Sequence, residues 1–400
     1  MAEQSPGSQA RRYFLAFGMT AALAMALGGC QLVPKARPER PPEPVLPEEE
    51  PVVEEEPVSR LPPEETRNRV AVLVPTSGAN AGVGQSIANA ANLALIDAGG
   101  ERIKITVYDT ARGGAAAAAN QALADGNGLF LGPLLADDVR AVAPVARRAG
   151  VPVISFSNDT SVAGNGVYLM GFTPAQSIAR VVDHAREAGL ERFGAVTPTG
   201  VYGRRASQAM IDSVDRAGGR LVAMQAYDAG PAGLRTAVGR LHALGDYDAV
   251  LIGDGGRSAA AAAPLLKTGA SAGIRLLGTE LWATETALGR TPALRGAWYA
   301  SVSDSMFNQL RTRYRARYGA NPYRLASLGY DSVLLTVRIA KNWRLGRPFP
   351  ERELRDPVGF AGVDGAFRFS SEGVAERSLE VREVTATGTI TVSPAPRSFD

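Results

Sequence analysis

Cysteine is almost missing from this chain: Cys30 is the single one in 400 residues. One thiol cannot form an intramolecular disulfide, and it rules out zinc sites built on several cysteines. Histidine is nearly as scarce. His184 and His242 fall on predicted helices in separate βα units, so no metal site of ordinary ligand spacing is expected. There is no Gly-x-Ser-x-Gly elbow and no Walker motif. Gly82-Val-Gly84 lacks the third glycine of a dinucleotide fingerprint, and Gly253-Asp-Gly-Gly256 has no confirming context. Enzyme chemistry therefore has no residues to carry it, and no cofactor is expected. Aromatics make up only 6% of the chain and no basic stripe is interleaved with them, which argues against a nucleic-acid surface. The first apolar run, Tyr13 to Leu27, falls short of the roughly 20 residues that a membrane span needs.

What that run does fit is an export signal. Arg11-Arg12 precede it, and Leu27-Gly28-Gly29-Cys30 closes it with small residues. The closing motif resembles the bacterial lipobox, which implies cleavage before Cys30 and acylation of its thiol. Several acyl chains anchor a protein stably where one does not. Gln31 rather than Asp follows the cysteine, which by the same resemblance implies the inner leaflet of the outer membrane, facing the periplasm. Arg11-Arg12-Tyr13-Phe14-Leu15 also looks like a twin-arginine signal, and both export routes stay open.

From Pro34 to Thr66 the chain is nearly all Pro, Glu, Val and Arg. Such a segment cannot bury a core, so residues 31–67 read as a disordered tether. Its 33 residues from Pro34 onward would reach on the order of 100 Å when extended. Ten Glu against Lys35, Arg37, Arg40 and Arg60 give it a net charge of −6. The signal region adds +1, so the total of +3 leaves +8 for residues 67–400. A basic domain on an acidic tether suits acidic partners or membrane surfaces.

The folded region is organised around its first turn. Val70 to Val74 is apolar on both faces, as a strand between two helical layers requires. Pro75 ends the ladder, and Thr76, Ser77, Gly78, Gly82 and Gly84 make a loop of small residues. A helix follows to Asp97, with Ile87, Ala91, Ala94 and Leu95 at helical spacing. Strand and helix then alternate through Val167–Met170, and the rhythm restarts at Pro174. The pattern is that of parallel sheets with helices on both faces, in two lobes of similar size. Short antiparallel strands are expected at Gly365–Phe369, Ser378–Thr385 and Thr389–Val392.

With Val74-Pro-Thr-Ser-Gly78, Val151-Pro-Val-Ile-Ser155, Val201-Tyr-Gly203, Glu280, Pro322 and Gly329-Tyr-Asp331 in place, residues 68–392 resemble the type I periplasmic-binding-protein fold. The nearest branch looks like the leucine/isoleucine/valine-binding proteins. The resemblance implies two Rossmann-like lobes that close on a ligand, joined by three crossings, here placed near 171–174, 298–304 and 358–364. The expected division is a signal peptide over 1–30, the tether over 31–67, and a tail over 394–400. One lobe takes 68–172 with 304–358, and the other takes 173–303 with 359–393. Phe130-Leu-Gly-Pro-Leu-Leu135 also resembles a motif of the outer-membrane penicillin-binding-protein activators, whose C-terminal module has this fold.

For an amino-acid ligand the resemblance implies hydroxyls around the carboxylate, an acid for the ammonium group and an aromatic wall. A buried zwitterion must have both charges paired. Ser77, Ser155, Ser157 and Asn158 are the candidates on one side, and Tyr202, Glu280 and Trp282 on the other. The chain departs from the family where the carboxylate should be gripped: Leu134-Leu135-Ala136-Asp137-Asp138 replaces a serine-rich turn, and Asn158-Asp159 replaces a small pair. Arg311, Arg313, Arg315 and Arg317 form a candidate partner patch on one predicted helix. Two readings follow. One is a lipoprotein that binds and activates a penicillin-binding protein, a peptidoglycan synthase. The other is a lipid-anchored solute-binding protein of an ABC transporter for branched-chain amino acids or similar small polar molecules.

Overall fold

The computed structural model describes residues 66–396 and 399, apart from Ala229. The signal, Cys30 and most of the tether lie outside the described residues. The first strand, β1 (Asn68–Val74), sends Val70, Val72 and Val74 into one core layer and Ala71 and Leu73 into another. Period-two alternation with both faces apolar is why this run forms the centre of a sheet. Helix α1 (Ala81–Asp97) follows, then β2 (Ile103–Asp109), α2 (Ala115–Ala124), β3 (Leu129–Leu131), α3 (Ala136–Arg148), β4 (Val153–Ser155) and β5 (Val167–Leu169). The five strands are parallel, in the order β2-β1-β3-β4-β5.

The chain then leaves this sheet. Helix α4 (Pro174–Glu187) opens a second α/β lobe with β6 (Arg192–Pro198), α5 (Val201–Arg216), β7 (Arg220–Tyr227), α6 (Pro231–His242), β8 (Ala249–Ile252), α7 (Gly256–Leu266), β9 (Arg275–Gly278) and β10 (Trp298–Ser301). Its core also has two layers, one with Val250 and Ile252 and one with Ala249 and Leu251.

Helices α8 (Ser305–Tyr318) and α9 (Ala326–Ile339) return to the first lobe, where Phe307, Leu310, Tyr314 and Val333 pack against β1 and α1 residues. Strands β11 (Phe360–Gly362), β12 (Gly365–Phe369) and β13 (Ala375–Arg377) form a small antiparallel sheet. Phe360, Phe367, Phe369 and Ala375 belong to the first lobe's core. Strands β14 (Glu380–Thr385) and β15 (Gly388–Ser393) then add antiparallel to the second sheet, giving β15-β14-β10-β9-β8-β6-β7. The third passage between lobes therefore falls between Arg377 and Glu380, not at 358–364. Residues 359–377 belong with the first lobe because their aromatic side chains are buried there.

The two lobes repeat one device. A proline ends the first strand of each, Pro75 after β1 and Pro198 in β6. A glycine near the start of the next helix lies against that proline's carbonyl. A Cβ on Gly84 would sit 1.8 Å from the Pro75 oxygen, and one on Gly203 1.6 Å from the Pro198 oxygen. Only glycine permits so close a backbone approach. It brings the N-termini of α1 and α5 to the strand ends where an open α/β sheet presents its ligand site.

Candidate functional site

Three elements of the second lobe converge on one carboxylate. Ser177 lies in the first turn of α4, Tyr202 at the start of α5, and Glu280 just beyond β9. Ser177 Oγ donates to Glu280 Oε2 at 2.5 Å. The Tyr202 hydroxyl lies 2.9 Å from both Glu280 Oε1 and Thr279 Oγ1. Burial pushes the Glu280 carboxyl above its ordinary pKa, although the Ser177 and Tyr202 hydroxyls partly hold it down. The Tyr202 hydroxyl is raised too, by burial first and then by the neighbouring Glu280 charge. This is a preformed acidic group with its lone pairs organised by hydroxyls.

The first lobe's side is different. Ser155 Oγ donates to the Pro133 carbonyl at 2.9 Å and accepts from Ser157 N at 3.0 Å. Ser157 Oγ accepts from Asp159 N at 3.1 Å. Ser77 bonds to Asp109, whose carboxylate also takes the Thr76 and Ala111 amides at 3.0 Å each. Burial acts to raise Asp109, but these donors outweigh it and hold the carboxyl at about 2. The three serines thus serve the protein's own turns: Ser157 within its own, Ser155 also across to the Pro133 turn, and Ser77 across to the turn at Asp109. What faces the cleft here is Leu134, Leu135, Phe156 and Asn158.

Asp159 is committed elsewhere. It is 7% exposed and accepts from Arg140 of α3 at 3.0 Å. It also pairs with Arg205 of α5, in the opposite lobe. Burial would raise its carboxyl, but Arg205 and Ser161 more than offset this and depress it well below the carboxylate range. Asp137 and Asp138 stand in the first turn of α3, where acidic residues suit the helix dipole. Asp137 pairs with Arg140 at 2.7 Å.

Between the lobes lies a cavity of about 490 Å³. Apolar side chains dominate its walls, Glu280 stands on one side, and Arg324 and Arg377 close the hinge end. Arg377 Nη2 donates to the Met170 carbonyl at 2.7 Å, and Arg324 Nη1 meets Asp364 at 2.6 Å.

A family profile described as "Periplasmic binding protein" matches residues 68–389. This chain is a member of the periplasmic-binding-protein family.

Among solved structures, it superimposes on an ABC transporter substrate-binding protein from Sphaerobacter thermophilus with a TM-score of 0.67 and 20% identity, over 84% of this chain and 99% of that one. The leucine binding protein LivK from Thermotoga maritima gives 0.60 and 19%, over 82% and 98%. A solute binding protein from Rhodopseudomonas palustris, in complex with 3,4-dihydroxybenzoic acid, gives 0.62 and 19%, over 84% and 98%. In sequence, an uncharacterized protein of Rickettsia prowazekii is 24% identical over 176 residues, 44% of this chain and just under half (47%) of that relative's length. At these identities the structural likenesses establish the fold alone.

Within this periplasmic-binding-protein domain, Asn158 and Glu280 line the cleft, and Tyr202 supports Glu280. Ser77, Ser155 and Ser157 do not line it, because their hydroxyls are held by Asp109, by the Pro133 carbonyl and by the Asp159 amide. Trp282 is a core residue instead. It is fully buried, its Nε1 donates to the Asp254 carbonyl at 2.9 Å, and its ring packs under Gly278. The arginine patch divides. Alternate residues on a helix lie about 200° apart, so Arg311 and Arg315 share one side and Arg313 and Arg317 another. Arg313 is already paired to Asp97 at 2.9 Å. Sequence reasoning missed Ser177, Arg324 and Arg377, which reach the site only through contacts between residues far apart in the chain. Among the described residues no cluster of three or more His, Cys, Asp or Glu could hold a metal ion, and no helix is long and apolar enough to cross a membrane.

Proposed function

We propose that this member of the family is a non-enzymatic envelope lipoprotein whose binding-protein-like domain docks on a penicillin-binding protein and stimulates peptidoglycan synthesis. The observation that carries the reading is the first lobe's wall. Its serine hydroxyls are spent on groups of the protein's own turns, leucines line the cleft, and Asp159 ties the lobes through Arg205. The scaffold is kept while the amino-acid grip is lost. The lipobox at Cys30 and the long acidic tether support the same reading, since a domain anchored in the outer membrane's inner leaflet must span the periplasm to reach a synthase. Envelope cross-linking followed by affinity capture of the full chain should recover a bifunctional penicillin-binding protein. Repeated recovery of none would count against the reading.

The second reading is a lipid-anchored solute receptor of an ABC transporter. It is favoured by the organised Glu280–Tyr202–Ser177 group and by a cavity whose volume suits a small ligand. Thermal shift against leucine, isoleucine and valine separates the two. A rise of several degrees that disappears in Glu280→Ala would favour the receptor.

A further inference from the structure

We infer that Arg180 of the second lobe and Arg368 of the first form an anion site beside the third passage between lobes, and that its ligand is a phosphate group, free or esterified as in a lipid headgroup. The site lies apart from the cleft and depends on neither reading of it.

A second cavity, of about 350 Å³, lies where α4, β12, the end of β13 and the chain beyond β15 meet. Gln176, Arg377 and Leu379 line both this cavity and the cleft, so they form the wall between the two. Arg180, Arg368, Ser378, Pro396 and Phe399 complete it. Among these described residues three are arginines and none is acidic.

Arg180 has only neutral partners. Its Nε donates to the Leu379 carbonyl at 3.2 Å and its Nη2 to Ser393 Oγ at 2.5 Å, and Nη1 takes part in neither bond. Arg368 gives Nε to Glu376 at 2.7 Å, and its side chain is 28% exposed. Its two terminal nitrogens stay outside that pair. Unlike Nε and Nη1 of Arg377, the spare nitrogens of Arg180 and Arg368 are not shut off from solvent. Arg377 adds its charge from within the wall while its own nitrogens stay closed off. The Phe399 ring lies 5.0 Å from the Arg368 guanidinium carbon. A ring over the face of the fork leaves free the N–H edge that binds oxyanions.

Two forks from different elements select the anion. One guanidinium satisfies both oxygens of a carboxylate, whereas a phosphate group has oxygens for two. An anion held in this way bridges α4 of the second lobe to β12 of the first, and the rest of the cavity takes the alcohol of an ester.

The test is calorimetric titration of the full chain in detergent, in about 0.15 M sodium chloride, with inorganic phosphate, glycerol 3-phosphate and the deacylated diester glycerophosphoglycerol. At least one of them should bind with a Kd of about 1 mM or below. Arg180→Gln and Arg368→Gln should each weaken that binding about tenfold or more. Arg235→Gln, the same charge change on α6 outside the cavity, should alter it by no more than about twofold. Should Arg180→Gln not fold, Arg368→Gln decides, because that side chain is partly exposed and holds a single acid. Tighter binding of glycerophosphoglycerol than of inorganic phosphate supports the site and makes a lipid headgroup its ligand. The reverse order supports it with free phosphate as the ligand. Silence of all three probes, binding that survives both variants, or equal weakening by Arg235→Gln overturns it.

Discussion

Asp159 of the first lobe and Arg205 of the second form an ion pair that joins the two halves of the clamp beside the cleft. The side chains are 10% and 28% exposed, so water screens the pair only in part. In a clamp that closes on ligand, such a bond favours the closed arrangement before anything binds. Arg205→Gln should therefore widen the average opening, read as a larger radius of gyration by X-ray scattering. A double-mutant cycle with Asp159→Asn should return a coupling of about 1 kcal/mol. An unchanged radius would show that the pair ties nothing.

Gly203 offers a sharper test of the fold. An alanine there would press against the Pro198 carbonyl, so Gly203→Ala should cost about 3 kcal/mol, the upper end of overpacking. A methyl group added at Gly200 would meet nothing within 4 Å, so Gly200→Ala should change stability by no more than about 0.5 kcal/mol. Denaturant midpoints of the two variants check both statements.

The Pro75 turn was legible in the sequence because a strand-ending proline and following small residues are local signals. So were most strands and helices, whose periodicity needs no knowledge of the rest of the chain. The third passage between lobes was not. Phe360 reads as part of a connection and Phe367 as an ordinary strand residue until the core that buries them is known. The site was half legible: Tyr202 and Glu280 carry the resemblance, whereas Ser177 meets Glu280 across 103 residues. The serines misled because a hydroxyl that serves a turn is written the same way as one that serves a ligand.

Trp282 illustrates that difference energetically. Its burial beneath β9 predicts that Trp282→Ala costs about 3–5 kcal/mol without any contact to the cleft. Thermal unfolding should show this loss, while binding of any cleft ligand to the variant that remains folded should be unaltered.

The buried acids give the domain a signed pH dependence. Asp331 is raised to about 7 by desolvation, with Asp364 adding to the shift. The folded state then holds a proton that the unfolded chain releases near pH 4, so this group's contribution falls as pH rises from about 4 to 7. Asp159 acts oppositely. Its depressed pKa contributes stability above about pH 4 that is lost as pH falls further. Asp331→Asn should flatten the stability profile between pH 4 and 7, and Asp159→Asn should flatten it only below that window. Denaturant titrations at pH 3, 4, 5.5 and 7.5 read both.

If a binding-protein scaffold here serves a peptidoglycan synthase, the synthase itself must respond to it. The most direct measurement is the rate of glycan-chain polymerisation by a purified bifunctional penicillin-binding protein, with and without the full chain in detergent. The account predicts a rate increase of several-fold that saturates with added protein and weakens in Arg205→Gln. An unchanged rate at saturating concentration, together with leucine binding that depends on Glu280, would contradict it.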